Sequence, residues 1–192
     1  MIYWLQNLPM PLYDDKWKPV ISYKWLRESF MAFVYLLQFV LFVLFMIYVK
    51  THTLNYDINM NSSIYKILSY ISNHKSIIYI SLIAMFIGHE ILHIIVIFKK
   101  GDFSITFNWL YFWITTNAEM SKFRYFLFTF LPLFILAAIP FIISLFIFND
   151  LAFIIRLIAF GNLIISSADI INIIFILTKP NKAIFCRGMY HI

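Results

Sequence analysis

The stretch Ile77–Phe98 reads IIYISLIAMFIGHEILHIIVIF and contains a single Glu and no Asp, Lys or Arg. At about 1.5 Å of rise per residue, a helix over these residues is long enough to cross a hydrocarbon core of about 30 Å. Near its end stand His89-Glu90-Ile91-Leu92-His93. Ionisable groups at that depth are costly in lipid, which makes them candidates for function. Two histidines at i and i+4 share one face of a helix, so their imidazoles can grip one metal ion. Zn2+ is the expected ion for histidine and carboxylate ligands, and the intervening Glu90 can serve as a base towards water. The alternative is that His89, Glu90 and His93 act as polar glue between helices.

Composition extends this reading to the whole chain. Hydrophobic residues make up 62% and charged residues 12% of 192 residues, against about 45–50% and about 25% in soluble domains. The expected fold is an all-α integral membrane protein with four transmembrane helices at 30–49, 77–98, 125–148 and 151–177. Asn149 and Asp150 alone separate the last two, which makes them an antiparallel hairpin. Pro132 and Pro140 fall inside the third span and read as kinks set by packing. Residues 1–29 form an N-terminal segment, 75–185 the membrane core, and 186–192 a C-terminal tail.

The net charge of +6 does not indicate nucleic acid, because the cations are scattered between apolar runs and form no stripe. Lys16, Lys18, Lys24 and Arg27 precede the first span, Lys99, Lys100, Lys122 and Arg124 lie between the second and third, and Lys179, Lys182 and Arg187 follow the fourth. The other side carries Lys50, Lys66 and Lys75. This bias places both termini in the cytoplasm. The lone Cys186 rules out an internal disulfide and a cysteine-based zinc cluster.

A catalytic zinc usually takes three protein ligands. A metzincin would supply the third from position 99, preceded by Gly at position 96, but the chain has Val96 and Lys99. Across the spans the other charged residues are Arg156 and Asp169. Arg156 lies within two turns of a membrane end, where its long stem can reach the interface. Asp169 lies about 12 Å from the cytoplasmic end of its span, against about 13 and 8 Å for His89 and His93, so the three share one depth. Asn162, Ser166 and Asp169 follow i, i+4, i+7 and form one polar stripe facing the bundle, able to orient ligands. Helix packing remains the alternative role for Asp169.

Ser104, Thr106 and Asn108 alternate with Ile105, Phe107 and Trp109, which suggests a short membrane-dipping strand. Thr106 and Asn108 would then help bind an extended substrate by main-chain pairing. An interfacial aromatic belt of Trp109, Tyr111 and Trp113 is the equal alternative.

His89-Glu90-Ile91-Leu92-His93 and Asn162-Leu163-Ile164-Ile165-Ser166-Ser167-Ala168-Asp169 together resemble DUF3267, a bacterial family of membrane zincins. That family is similar to site-2-protease-like intramembrane metallopeptidases, and the resemblance covers roughly residues 75–185. It implies His89, His93 and Asp169 as zinc ligands, Glu90 as catalytic base, a site open to the cytoplasm, and a bacterial cell membrane. Site-2 proteases have Gly before the second His and an Asp-Gly pair, where this chain has Leu92 and Asp169-Ile170. The expected activity is metal-activated hydrolysis of a membrane protein or peptide substrate. A zinc hydrolase acting on a lipid or small amide, and a non-catalytic metal-binding scaffold, are the alternatives.

Overall fold

Lipid offers no hydrogen-bond partner to a peptide group, so an apolar run must coil and satisfy its own backbone. The computed structural model describes residues 2–4, 8, 14–54, 72–108, 111–147 and 150–192. Helices α1 (Lys24–Glu28), α2 (Phe30–Leu54), α3 (Lys75–Ile97) and α4 (Lys122–Leu133) are followed by a π-turn (Phe134–Ala138). Then come α5 (Ile139–Ser144), α6 (Asp150–Ile165) and α7 (Ser167–Leu177). Among the described residues there are also seven short strands: β1 (Ile2–Trp4), β2 (Lys18–Pro19), β3 (Phe103–Asn108), β4 (Tyr111–Thr116), β5 (Met120–Ser121), β6 (Ile184–Cys186) and β7 (Met189–His191).

Among the described residues, Phe30–Tyr48, Lys75–Ile97 and Lys122–Ser144 are long and apolar enough to cross a membrane. A fourth crossing arises if α6 and α7 count as one span, although they are bent by 56°. The span expected over 151–177 is present as two helices with a break between them rather than as one continuous helix. The break has a local cause. Ser166 leaves the helical region with ψ near 9°, and the Ser167 hydroxyl donates back to the carbonyl of Ile164 at 2.7 Å, a contact that bends helices. The third span also differs from expectation, with regular helix ending at Ser144 and positions 148 and 149 outside the described residues.

Helix α3 carries the exposure pattern of a helix surrounded by lipid. Ile80, Ile83, Ile87, Ile91 and Ile95 face outward, while His89, Glu90 and His93 face inward. A water-soluble helix has the opposite arrangement. In water each exposed isoleucine would forfeit about 25 cal/mol per Å² of apolar surface. The chain fits a membrane protein on this ground.

Two cations close helix ends. Arg156 donates to the carbonyl of Ser144 at 2.9 Å and to its hydroxyl at 3.2 Å, which caps α5. Lys122 donates to the carbonyls of Leu177 and Lys179, capping α7 where the helix dipole is negative. Arg156 is thus occupied structurally.

The strands form two small sheets, ordered β1-β3-β4 and β2-β7-β6-β5. The all-α expectation is corrected to mostly helical with small sheets. β4 was hidden because its sequence, YFWITT, has no polar alternation. β3 pairs in parallel with β1 and antiparallel with β4, Thr106 facing Trp113. The side chains of Asn108, Tyr111 and Trp113, and all of Trp109, lie outside the described residues. Ile97, Phe103, Ile105, Ala118 and Met120 form one core, against which Ile94, Tyr125 and Phe128 pack. The first sheet is thereby fixed to the end of α3 that carries His93.

Gly101 sits where the chain turns from α3 into β3, and a Cβ there would lie 2.7 Å from the Cα of Ala118. Gly101→Ala is expected to cost about 1–3 kcal/mol of stability. Gly88→Ala, whose Cβ would meet Leu136 at an ordinary 3.7 Å, is expected to be neutral or to gain up to about 1 kcal/mol. Thermal unfolding in detergent micelles checks both; equal melting temperatures for the two variants would contradict this packing.

Candidate metal centre

The four-residue spacing on α3 stacks His89 above His93, their ring centroids 4.7 Å apart. Both rings are buried, and their Nε2 atoms face each other at 3.0 Å. The bend at Ser166 starts α7 in a new direction and places Asp169 in its first turn. Asp169 Oδ2 lies 3.4 Å from His89 Nε2 and 3.6 Å from His93 Nε2. Three potential ligand atoms from two helices therefore meet, as a group that could hold a metal ion.

Protonation can be assigned from the partners of the other ring nitrogens. His93 Nδ1 lies 2.7 Å from the carbonyl of Phe128, which can only accept, so Nδ1 carries the proton. His89 Nδ1 lies 3.0 Å from Asn162 Oδ1. The orientation of that amide is fixed because its Nδ2 donates to the carbonyl of Pro132 at 3.0 Å. Oδ1 must accept, and His89 also carries its proton on Nδ1. In neutral rings both Nε2 atoms then present lone pairs, so their 3.0 Å approach cannot be a hydrogen bond. Two lone pairs and a carboxylate oxygen facing one another in an apolar interior repel, and a cation between them turns repulsion into attraction.

The size of the triangle decides whether zinc fits. Sides of 3.0, 3.4 and 3.6 Å put each corner about 1.9 Å from the centre. Three corners of a tetrahedron with bonds of roughly 2.0–2.1 Å lie at the same radius, and those are the lengths Zn2+ makes to imidazole nitrogen and carboxylate oxygen. The donor set fits zinc, with a fourth corner left for another ligand.

Glu90 is buried beside the pair, and its Oε2 has no hydrogen-bond partner among the described residues. A carboxylate oxygen without a donor is free to accept a proton from a bound molecule. Ser166 is fully buried at the break between α6 and α7, and its hydroxyl lies 3.4 Å from Asn162 Nδ2. Thr106 is half-buried in β3, next to the centre through the Ile105 and Phe128 packing but not in it. Sequence reading missed the Phe128 carbonyl, since a main-chain acceptor has no residue-type signature. Its ring is also placed against His93, 4.4 Å between centroids.

The span 82–184, more than half of the chain, matches the family model DUF3267, described as "Putative zincin peptidase". No curated protein and no solved structure matches the chain. All three atoms of the triangle, Glu90 and Asn162 fall inside the matched span. On the strength of that match, the chain belongs to the DUF3267 family.

Proposed function

We propose that the chain is an intramembrane zinc metallopeptidase that hydrolyses peptide bonds of membrane-associated substrates. The observation that carries this reading is the triangle of His89 Nε2, His93 Nε2 and Asp169 Oδ2, with both Nδ1 protons committed elsewhere. The family description supports peptidase chemistry. Burial of the triangle among helices apolar enough to cross a membrane supports action within the bilayer.

In this reading His89, His93 and Asp169 hold Zn2+, which when bound would polarise a substrate carbonyl and favour ionisation of water. Glu90 Oε2 takes the proton of the attacking water. It then delivers that proton to the leaving nitrogen, so the products are a carboxylate and an amine rather than an unstable amide anion. Asn162 and the Phe128 carbonyl hold the two rings in the tautomer that aims Nε2 at the centre. Ser166 steadies Asn162. The surrounding apolar side chains keep bulk water out, which strengthens every charge interaction inside.

A helical substrate must unwind before its peptide bond is open to attack, and main-chain pairing can hold it extended. In β3, Thr106 and Asn108 belong to the strand nearest the centre. β1 and β4 flank it, so a substrate strand adds by replacing the three-residue β1 or at the outer edge of β4. The bias of Lys and Arg supports termini on the cytoplasmic side, and the family resemblance supports a site that opens to the same side.

Glu90→Gln is expected to keep near-stoichiometric zinc while turnover of a reconstituted membrane substrate falls by about 10²–10⁴-fold. His89→Ala and Asp169→Ala are expected to lose zinc and turnover together. Metal analysis and cleavage assays on the same preparations read both; zinc with no Glu90-dependent turnover would favour a non-catalytic scaffold. Thr106→Pro removes a main-chain N–H from β3 and is expected to slow substrate processing without changing zinc content. Processing at the normal rate would remove the strand from the mechanism.

A further inference from the structure

Helix α4 contains Pro132, four residues after the main-chain carbonyl that holds His93. In an α-helix the carbonyl of residue i accepts from the N–H of residue i+4. For Phe128 that donor would be residue 132, and proline has none. The acceptor freed in this way is the one that His93 Nδ1 reaches at 2.7 Å. We infer that Pro132 is a positioning residue for the metal centre, required because it lacks an N–H and so leaves the Phe128 carbonyl to His93. The inference rests on the metal-binding reading of His89, His93 and Asp169.

Three further observations converge on the same turn. The carbonyl of Pro132 itself accepts from Asn162 Nδ2 at 3.0 Å, and Asn162 in turn accepts from His89. One turn of α4 therefore orients both imidazoles, His93 directly and His89 through an amide. Thr129, fully buried between Phe128 and Pro132, donates its hydroxyl back to the carbonyls of Phe126 and Tyr125. It meets the needs of the preceding turn without occupying the Phe128 carbonyl. Immediately after, the helix widens into the π-turn, where the Ile139 N–H bonds to the carbonyl of Phe134, five residues back.

An ordinary residue at position 132 would return the helical N–H to Phe128. The carbonyl would then be shared and drawn into the helix wall, and His93 would lose the acceptor that fixes its tautomer. Pro132→Ala favours helix formation, so the change does not threaten folding. Losing a partner that orients a ligating histidine typically weakens metal affinity by about 10–100-fold.

The test is zinc affinity of the full chain in detergent, measured by competition with a chromogenic chelator for wild type and two variants. One is Pro132→Ala. The other carries lactic acid in place of Pro132, introduced by nonsense suppression, whose ester linkage lacks both the ring and the N–H. The expected result is affinity about 10–100-fold weaker for Pro132→Ala and close to wild type for the ester. Wild-type affinity in Pro132→Ala overturns the inference. Equal weakening in both variants also overturns it, by assigning the effect to the ring or its kink. A wild-type chain that takes up no zinc overturns the metal reading and this inference with it, an outcome distinct from the other two.

Discussion

Two imidazole nitrogens and a carboxylate oxygen, 3.0 to 3.6 Å apart in an apolar helix bundle, repel one another unless positive charge lies among them. Most of what distinguishes this fold from a plain bundle serves that convergence. Helix α3 contributes the two rings by its four-residue repeat. The α6–α7 pair bends at Ser166, which sends Asp169 back towards α3. Helix α4 contributes the carbonyls of Phe128 and Pro132, one to His93 and one through Asn162 to His89. The break at Ser166 and the proline in α4 both sit where one of the three converging groups, or its support, requires them.

The remaining polar groups keep that arrangement closed. Lys122 and Arg156 each cap the end of another helix, tying α4 to α7 and α6 to α5. Both sheets gather at the end of the bundle where α3 stops and α4 begins. The first sheet and the metal centre share Phe128, whose backbone and ring touch His93 while its side chain packs against the strand core.

Much of the site could be read from the sequence because charge in an apolar helix is expensive and therefore conspicuous. His89, Glu90, His93 and Asp169 stand out by residue type, and counting 1.5 Å per residue gives His89, His93 and Asp169 one depth. Asn162 and Ser166 followed from periodicity. What stayed hidden was carried by backbone rather than side chains. The bend at Ser166 lies within a stretch whose mean hydropathy stays high across it, so hydropathy alone reads one helix there. β4 is four aromatic or aliphatic residues followed by two threonines and shows no period of two. The Phe128 carbonyl has no signature of its own, and Pro132 looked like a kink although proline marks a freed acceptor four residues earlier.

The most direct measurement is the zinc K-edge absorption spectrum of the purified, metal-loaded chain. The account requires a four-coordinate shell of nitrogen and oxygen at about 2.0–2.1 Å, with outer-shell scattering from two imidazoles. A sulfur shell at about 2.3 Å, a shell with fewer than two imidazoles, or no retained zinc would contradict it.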